Sequence, residues 1–228
     1  MENALNRGPV VFIVDDDVSV RESLAGLIGF AGFDVELFTS AQDFLRHPHA
    51  LRPNCLVLDV GLPDLCGLDL QKLIAADRPD MPIIFLTGRH DIPTTVGAMK
   101  AGAADFFTKP CDDEALLQAI REAIGRSSAA LSAGAEVSAL QGRYASLTPR
   151  ERQVMALVVS GLLSKQVSSE LGISEVTVKL HRGQVMRKMH ARSIATLVNM
   201  AWRLHPGRLQ AAPASASPQA SRQDCLQH

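Results

Sequence analysis

Short apolar runs alternate with amphipathic stretches through the first half of the chain. Val10 to Val14, Val35 to Phe38, Cys55 to Leu58, Ile83 to Leu86 and Asp105 to Thr108 have the length and composition of strands. Runs such as VVFIV and PIIFL are apolar throughout, the pattern of strands covered on both faces, and helical Ala/Leu-rich stretches separate them. This alternation predicts a parallel sheet with right-handed crossovers, an open, doubly wound α/β domain.

The pattern changes at Arg126. RSSAALSAGAEVSALQGR, residues 126–143, has too few large apolar residues for a core of its own and reads as a linker, partly helical. Helical periodicity returns at Leu147, where Thr148, Pro149 and Glu151 supply an N-cap, an N1 proline and a capping-box glutamate. Val154, Leu157 and Val158 then form one apolar face. Gly161 stops that helix, Ser164 caps a short second one with Val167 and Leu171 inward, and Gly172 turns the chain into a third. Ser174 caps the third helix, which runs to about Met189, and a fourth from Ser193 to Leu204 closes an all-α unit over 144–205. The Ala/Ser/Pro/Gln-rich tail, 206–228, is expected to be disordered.

Composition adds a division of labour. The 228 residues are 46% hydrophobic and 21% charged, as in a folded protein. A formal charge of −1 conceals two opposite halves: residues 1–126 carry 11 Lys/Arg against 19 Asp/Glu (net −8), and residues 127–228 carry 12 against 5 (net +7). No run approaches the roughly 18 apolar residues of a membrane span, and MENALNRGPV lacks the order of a signal peptide, so a cytoplasmic protein with no membrane partner is expected. Cys55, Cys66, Cys111 and Cys225 form no CxxC pair and read as free thiols.

In a parallel α/β sheet, ligands bind beyond the carboxyl ends of the strands. Here the strand ends carry Asp15, Asp16 and Asp17, then Asp59, then Thr87, then Lys109 followed by Pro110. Adjacent carboxylates at one site call for a hard divalent cation such as Mg²⁺, with Asp15 and Asp16 as candidate ligands. Asp59, on a neighbouring strand, is then the candidate nucleophile toward a phosphoryl group whose charge the metal, Thr87 and Lys109 would stabilise. Taken singly, each Asp is more often a strand terminator or helix cap.

The ordered set Asp15-Asp16, CLVLDVGLPDLCGLDL, IIFLT and DFFTKP closely resembles the receiver domain of two-component response regulators, over about residues 9–125. The resemblance implies a five-stranded, flavodoxin-like sheet and phosphorylation of Asp59 by a sensor histidine kinase. It also implies Mg²⁺ held by Asp15 (directly or through water), Asp16, Asp59 and the Gly61 carbonyl. Thr87 and Lys109 would contact the phosphoryl oxygens, Phe106 would be the switch aromatic that follows Thr87, and the Lys109–Pro110 peptide would be cis. Pro63 matches the loop after the phosphorylated aspartate. Self-phosphorylation and autodephosphorylation at Asp59 would be the only chemistry; the protein is otherwise not an enzyme. Asp15-x-Asp17, Thr87, Lys109 and Asp112-Asp113 also resemble haloacid-dehalogenase-type phosphatase motifs, with Asp15 as nucleophile and Asp17 as acid/base. That reading leaves Asp59 without a task, and Asp112-Asp113 does not follow an apolar strand.

In the basic half, Val178, His181, Val185 and Met189 form an inward stripe, leaving Lys179, Leu180, Arg182, Gly183, Met186 and Arg187 outward or flanking. Four basic residues against Glu175 favour an anionic partner. LTPRERQVMALVVSGLLSKQVSSELGISEVTVKLHRGQVMRKM, continuing through RSIATLVNMA, strongly resembles the LuxR/FixJ-type helix-turn-helix DNA-binding domain. The resemblance implies that Lys179, Leu180 and Gly183 face bases, that Lys165, Arg187 and Lys188 contact phosphates, and that Thr177 and Arg182 belong to the DNA-contacting set. Gly183 departs from the longer polar side chain common there, which leaves one base contact absent or supplied by Arg182 or Gln184. His181 reads as a packing histidine.

Together the two resemblances imply a response-regulator transcription factor, in which phosphorylation at Asp59 modulates dimerisation and sequence-specific binding of double-stranded promoter DNA. RNA polymerase is a further candidate partner. The alternative is a receiver serving as a phosphorylation-independent dimerisation module.

Overall fold

The computed structural model describes residues 8–88 and 92–204; the tail expected to be disordered, with Cys225, lies outside them. Strands β1 (Val10–Val14), β2 (Asp34–Phe38), β3 (Asn54–Asp59), β4 (Ile83–Thr87) and β5 (Asp105–Thr108) pair in parallel in the order β2-β1-β3-β4-β5. Each begins and ends within one residue of the apolar run that predicts it.

Alternation along the strands divides the core in two. Val10, Phe12, Val14, Leu56, Leu58 and Phe85 face one layer, packed with Phe44 of α2 (Ala41–Arg46), Leu70 and Ile74 of α3 (Gly67–Asp77) and Ala98 of α4 (Ile92–Lys100). Val11, Ile13, Val57, Ile84 and Leu86 face the other, against Leu24 and Ile28 of α1 (Val18–Phe30) and Leu116, Ile120 and Ala123 of α5 (Asp113–Ala145). Both faces of β1, β3 and β4 are fully covered, which is why their central runs are apolar, while the outer strands β2 and β5 are only partly buried. Burying each large side chain in such a layer is worth about 1.5–3 kcal/mol.

The chain divides into two compact units within α5, between Ala135 and Glu136. Segment 126–143, expected as a partly helical linker, is helical throughout. Ala-rich sequence has high helix propensity and the segment holds no proline, so nothing ends the helix that starts at Asp113. In the first unit, Ser127 of α5 is buried and its Oγ accepts the Asn54 backbone N–H at 3.1 Å.

The second unit packs Leu140 and Leu147 with α6 (Pro149–Val159), α7 (Ser164–Leu171), α8 (Glu175–Met189) and α9 (Ile194–Leu204). Val154, Met155, Val158, Val167, Val178, Val185, Met189 and Leu197 form its core. The capping box is present: Thr148 Oγ1 accepts from Glu151 N at 3.2 Å and Glu151 Oε2 accepts from Thr148 N at 2.7 Å. Gly172 closes α7 in the left-handed region (φ 64°), where only glycine is unstrained, and Ser174 caps α8. Two boundaries differ from expectation by one residue: α9 starts at Ile194, with Ser193 Oγ accepting from Thr196 N at 3.1 Å in its cap, and α7 starts at Ser164. Ser164 is the first residue of α7 rather than its cap, because the preceding N–H, that of Leu163, is taken by Gln166 Oε1 at 2.8 Å.

Candidate functional site

The sequence-predicted residues of the first unit converge on one cleft of about 630 Å³, lined by Asp15, Asp16, Asp59, Gly61, Thr87 and Lys109. It sits at the carboxyl ends of β1, β3 and β4, where the chain order reverses between β2-β1 and β3. Asp15 and Asp59 are 1% and 8% exposed, whereas Asp16 is open to solvent. Asp15, Asp16 and Asp59 each bring a carboxylate oxygen within 4.8 Å of the others.

Lys109 balances part of that charge. Its Nζ lies 2.5 Å from Asp15 Oδ2 and 3.1 Å from Asp59 Oδ1. Burial disfavours the ammonium, but its hydrogen bonds to Asp15 and Asp59 more than offset this and hold Lys109 above the ordinary lysine range. Backbone groups fix the carboxylates: Asp17 N–H donates to Asp15 Oδ1 and Gly61 N–H to Asp59 Oδ2, each at 3.0 Å. Thr87, 6% exposed, ends β4 beside them, and the Lys109–Pro110 peptide is cis. Phe106, half-buried on β5, lies 6.2 Å from the Phe85 ring.

The carboxylates of the phosphatase-like reading have other tasks. Asp17 caps α1 by accepting from Ser19 N at 2.8 Å, and Asp112 accepts from Ala115 N at 2.8 Å at the start of α5. Among the described residues Cys55, Cys66 and Cys111 are free thiols, and burial pushes Cys55 up to about 12.

On the second unit, Lys165, Lys179, Leu180, Gly183 and Arg187 are exposed, with Leu180 at 62%. Arg182 and His181 are half-buried, and the Thr177 hydroxyl is 2.8 Å from Ser174 Oγ in the cap of α8. Arg187 bonds Gln184. Lys188, expected as a phosphate contact, has its Nζ 2.7 Å from Glu151 Oε2, a carboxylate of a residue only 5% exposed.

Several contributors escape a reading by motif. Arg21 is buried and donates to the Asp15 carbonyl at 2.5 Å, fixing the end of β1 from α1. Asp64 accepts from Gln42 N at 3.0 Å, tying the loop after β3 to the start of α2. Gly67 lies so close to β3 that a Cβ would stand 2.9 Å from the Asp59 carbonyl and 3.2 Å from the Phe85 ring. The sequence GLPDLCG flags the last two by its loop residues; nothing local flags Arg21.

Residues 11–121 match the family model described as response regulator receiver domain, and residues 145–201 that of bacterial regulatory proteins, luxR family. Nodulation protein W of Bradyrhizobium diazoefficiens is 48% identical over 84% of each chain. The transcriptional regulatory protein FixJ of the same organism is 42% identical over 85% of this chain and 94% of its own. The solved response regulator StyR superposes with a TM-score of 0.78 and 45% identity, covering 85% of this chain and 98% of that one. Among the described residues no helix is long and apolar enough to cross a membrane. With a receiver domain at one end and a luxR-family domain at the other, aligned along most of their length with such regulators, this chain belongs to the FixJ/LuxR-type response-regulator transcription factors.

Proposed function

We propose that the first unit, about residues 9–125, is a phosphorylation switch and the second, about 144–205, a double-stranded DNA reader under its control. The observation that carries this reading is the Asp59 carboxylate: 8% exposed, 3.1 Å from Lys109, with an oxygen within 4.8 Å of those of Asp15 and Asp16. Asp59 attacks the phosphorus of a phosphohistidine on a sensor kinase. The new oxygen–phosphorus bond forms, the phosphorus–nitrogen bond breaks, and the imidazole keeps its electron pair.

The donor set fits a hard divalent cation such as Mg²⁺. Four carboxylates, Asp15, Asp16, Asp17 and Asp59, line the cleft against the single ammonium of Lys109, and the candidate donors are oxygens. Asp15, Asp16, Asp59 and the Gly61 carbonyl would hold the ion, which when bound would neutralise charge on the transferring group. Lys109 turns its protons from Asp15 toward the incoming phosphoryl oxygens, and the Thr87 hydroxyl donates a further hydrogen bond. That pull on Thr87 opens space beside Phe85 for Phe106 to move inward, altering the β4–β5 surface and promoting homodimerisation. Lys179, Leu180 and Gly183 then face bases in the major groove, Lys165 and Arg187 contact phosphates, and Thr177 and Arg182 complete the set, two copies reading one palindromic site. RNA polymerase is the partner that such a bound dimer would engage.

The test is rapid intact-mass analysis of the full chain after acetyl phosphate and Mg²⁺, beside Asp59→Asn. One phosphoryl adduct on the wild type, absent in Asp59→Asn and in EDTA, is expected. An adduct that persists in Asp59→Asn, or no adduct on either protein, overturns the reading.

A further inference from the structure

The last turn of α8 carries an ion pair that faces the interior of the second unit. Lys188 Nζ is 2.7 Å from Glu151 Oε2 and also donates to the Ser146 carbonyl at 3.2 Å. Glu151 belongs to the first turn of α6, where the same Oε2 accepts from Thr148 N. One carboxylate oxygen thus holds both the start of α6 and the end of α8, and one ammonium holds α8 to the turn that follows α5. The fully buried residues of α8 are Val178, Val185 and Met189, with Met186 packed partly buried beside them. The Lys188–Glu151 pair is a polar tether to one side of that apolar stripe.

We infer that Lys188 is a positioning residue that sets the orientation of the recognition helix through Glu151, and not a ligand of DNA phosphate. This rests on the DNA-reading proposal above. The two roles separate physically. A phosphate ligand releases counterions, so its removal lowers the slope of log affinity against log salt by about one; a positioning residue leaves that slope unchanged. Removal of a phosphate ligand cannot be repaired from Glu151. Loss of the tether can be, because much of its cost is a carboxylate left buried without a cation, and Gln at 151 removes that charge while still accepting from Thr148 N.

The experiment uses the full chain and a fluorescent duplex enriched from random sequence by the wild type, at a temperature where Trp202 fluorescence shows each variant folded. Lys188→Met is expected to bind about tenfold more weakly with an unchanged salt slope, and Lys188→Met with Glu151→Gln to return within about threefold of wild type. A slope reduced by about one, with no recovery in the double variant, overturns the inference in favour of a phosphate contact. A folded Lys188→Met that binds as wild type overturns it in favour of a purely stabilising pair. If Lys188→Met does not fold, the double variant alone decides: near-wild-type affinity and slope support positioning, and a slope lower by about one overturns it. Failure of the wild type to bind any duplex defeats the DNA-reading proposal itself.

Discussion

The two units of this chain handle charge in opposite ways. In the first, apart from the solvent-open Asp16, the groups proposed to do chemistry are largely withdrawn from water: Asp15, Asp59 and Thr87 are all below a tenth exposed, and Lys109 is pinned between two carboxylates. In the second, Lys165, Lys179 and Arg187 stand in solvent, and the buried charge is Glu151, paired with Lys188. A pocket built to stabilise a small dianionic group gains from being organised before the ligand arrives. A surface built to meet a polyanion gains from charges that stay hydrated until counterions are displaced. Burial therefore distinguishes the working charge in the first unit and the supporting charge in the second.

The comparison breaks most sharply at Asp59: Asp59→Asn should abolish the covalent phosphate entirely by intact mass while leaving the duplex binding of the unphosphorylated chain unchanged. Next in size is Lys109→Met, which strands two buried carboxylates and should cost about 3 kcal/mol of stability in EDTA, part of it recovered by Mg²⁺ in a melting scan. Gly67→Ala pushes a methyl against the Asp59 carbonyl and the Phe85 ring. It should cost about 2 kcal/mol in urea denaturation followed by far-UV circular dichroism. Thr148→Ala removes the cap of α6 and should cost about 1 kcal/mol. Trp202 and Tyr144, the chain's sole tryptophan and tyrosine, both lie in the second unit, so tryptophan fluorescence reads that loss alone.

The smallest effect is one of pH, and it has opposite sign in the two units. Lys188 first, then the Thr148 N–H, hold the Glu151 carboxyl below its ordinary 4.5, so its contribution is complete above that value and drains as pH falls below it. Lys109 is held above its ordinary 10.5, so its contribution is complete below that value and is lost only as pH rises past it. Glu151→Gln should thus flatten the acid limb of Trp202 unfolding, and Lys109→Met the alkaline limb of the remaining transition. The reverse pairing would show that the ion pairs are assigned to the wrong units.

What was legible in the sequence follows the same physics. Strands buried on both faces write their extent directly, so β1, β3 and β4 could be read as apolar runs and the cleft as whatever follows them. The capping box at Thr148 and the left-handed turn at Gly172 are local chemistry and equally readable. Tertiary partners are not. Arg21 resembles any helical arginine until its position beneath Asp15 is known, and the Ser127 hydroxyl looks like linker until it meets Asn54, 73 residues away. Lys188 looked like one more charge on a basic face because its partner lies two helices earlier. The continuity of α5 was obscured for a different reason: composition signals the lack of a core, but a helix needs only the absence of a breaker to continue.

The central claim is that phosphate at Asp59 changes what the second unit does. It is tested most directly by fluorescence anisotropy of the full chain on its selected duplex, before and after acetyl phosphate with Mg²⁺, with Asp59→Asn alongside and occupancy read by intact mass. The account predicts an affinity change of at least about fivefold on phosphorylation of the wild type and none in Asp59→Asn. Equal affinities at full phosphate occupancy would contradict it, and would make the first unit a scaffold rather than a switch.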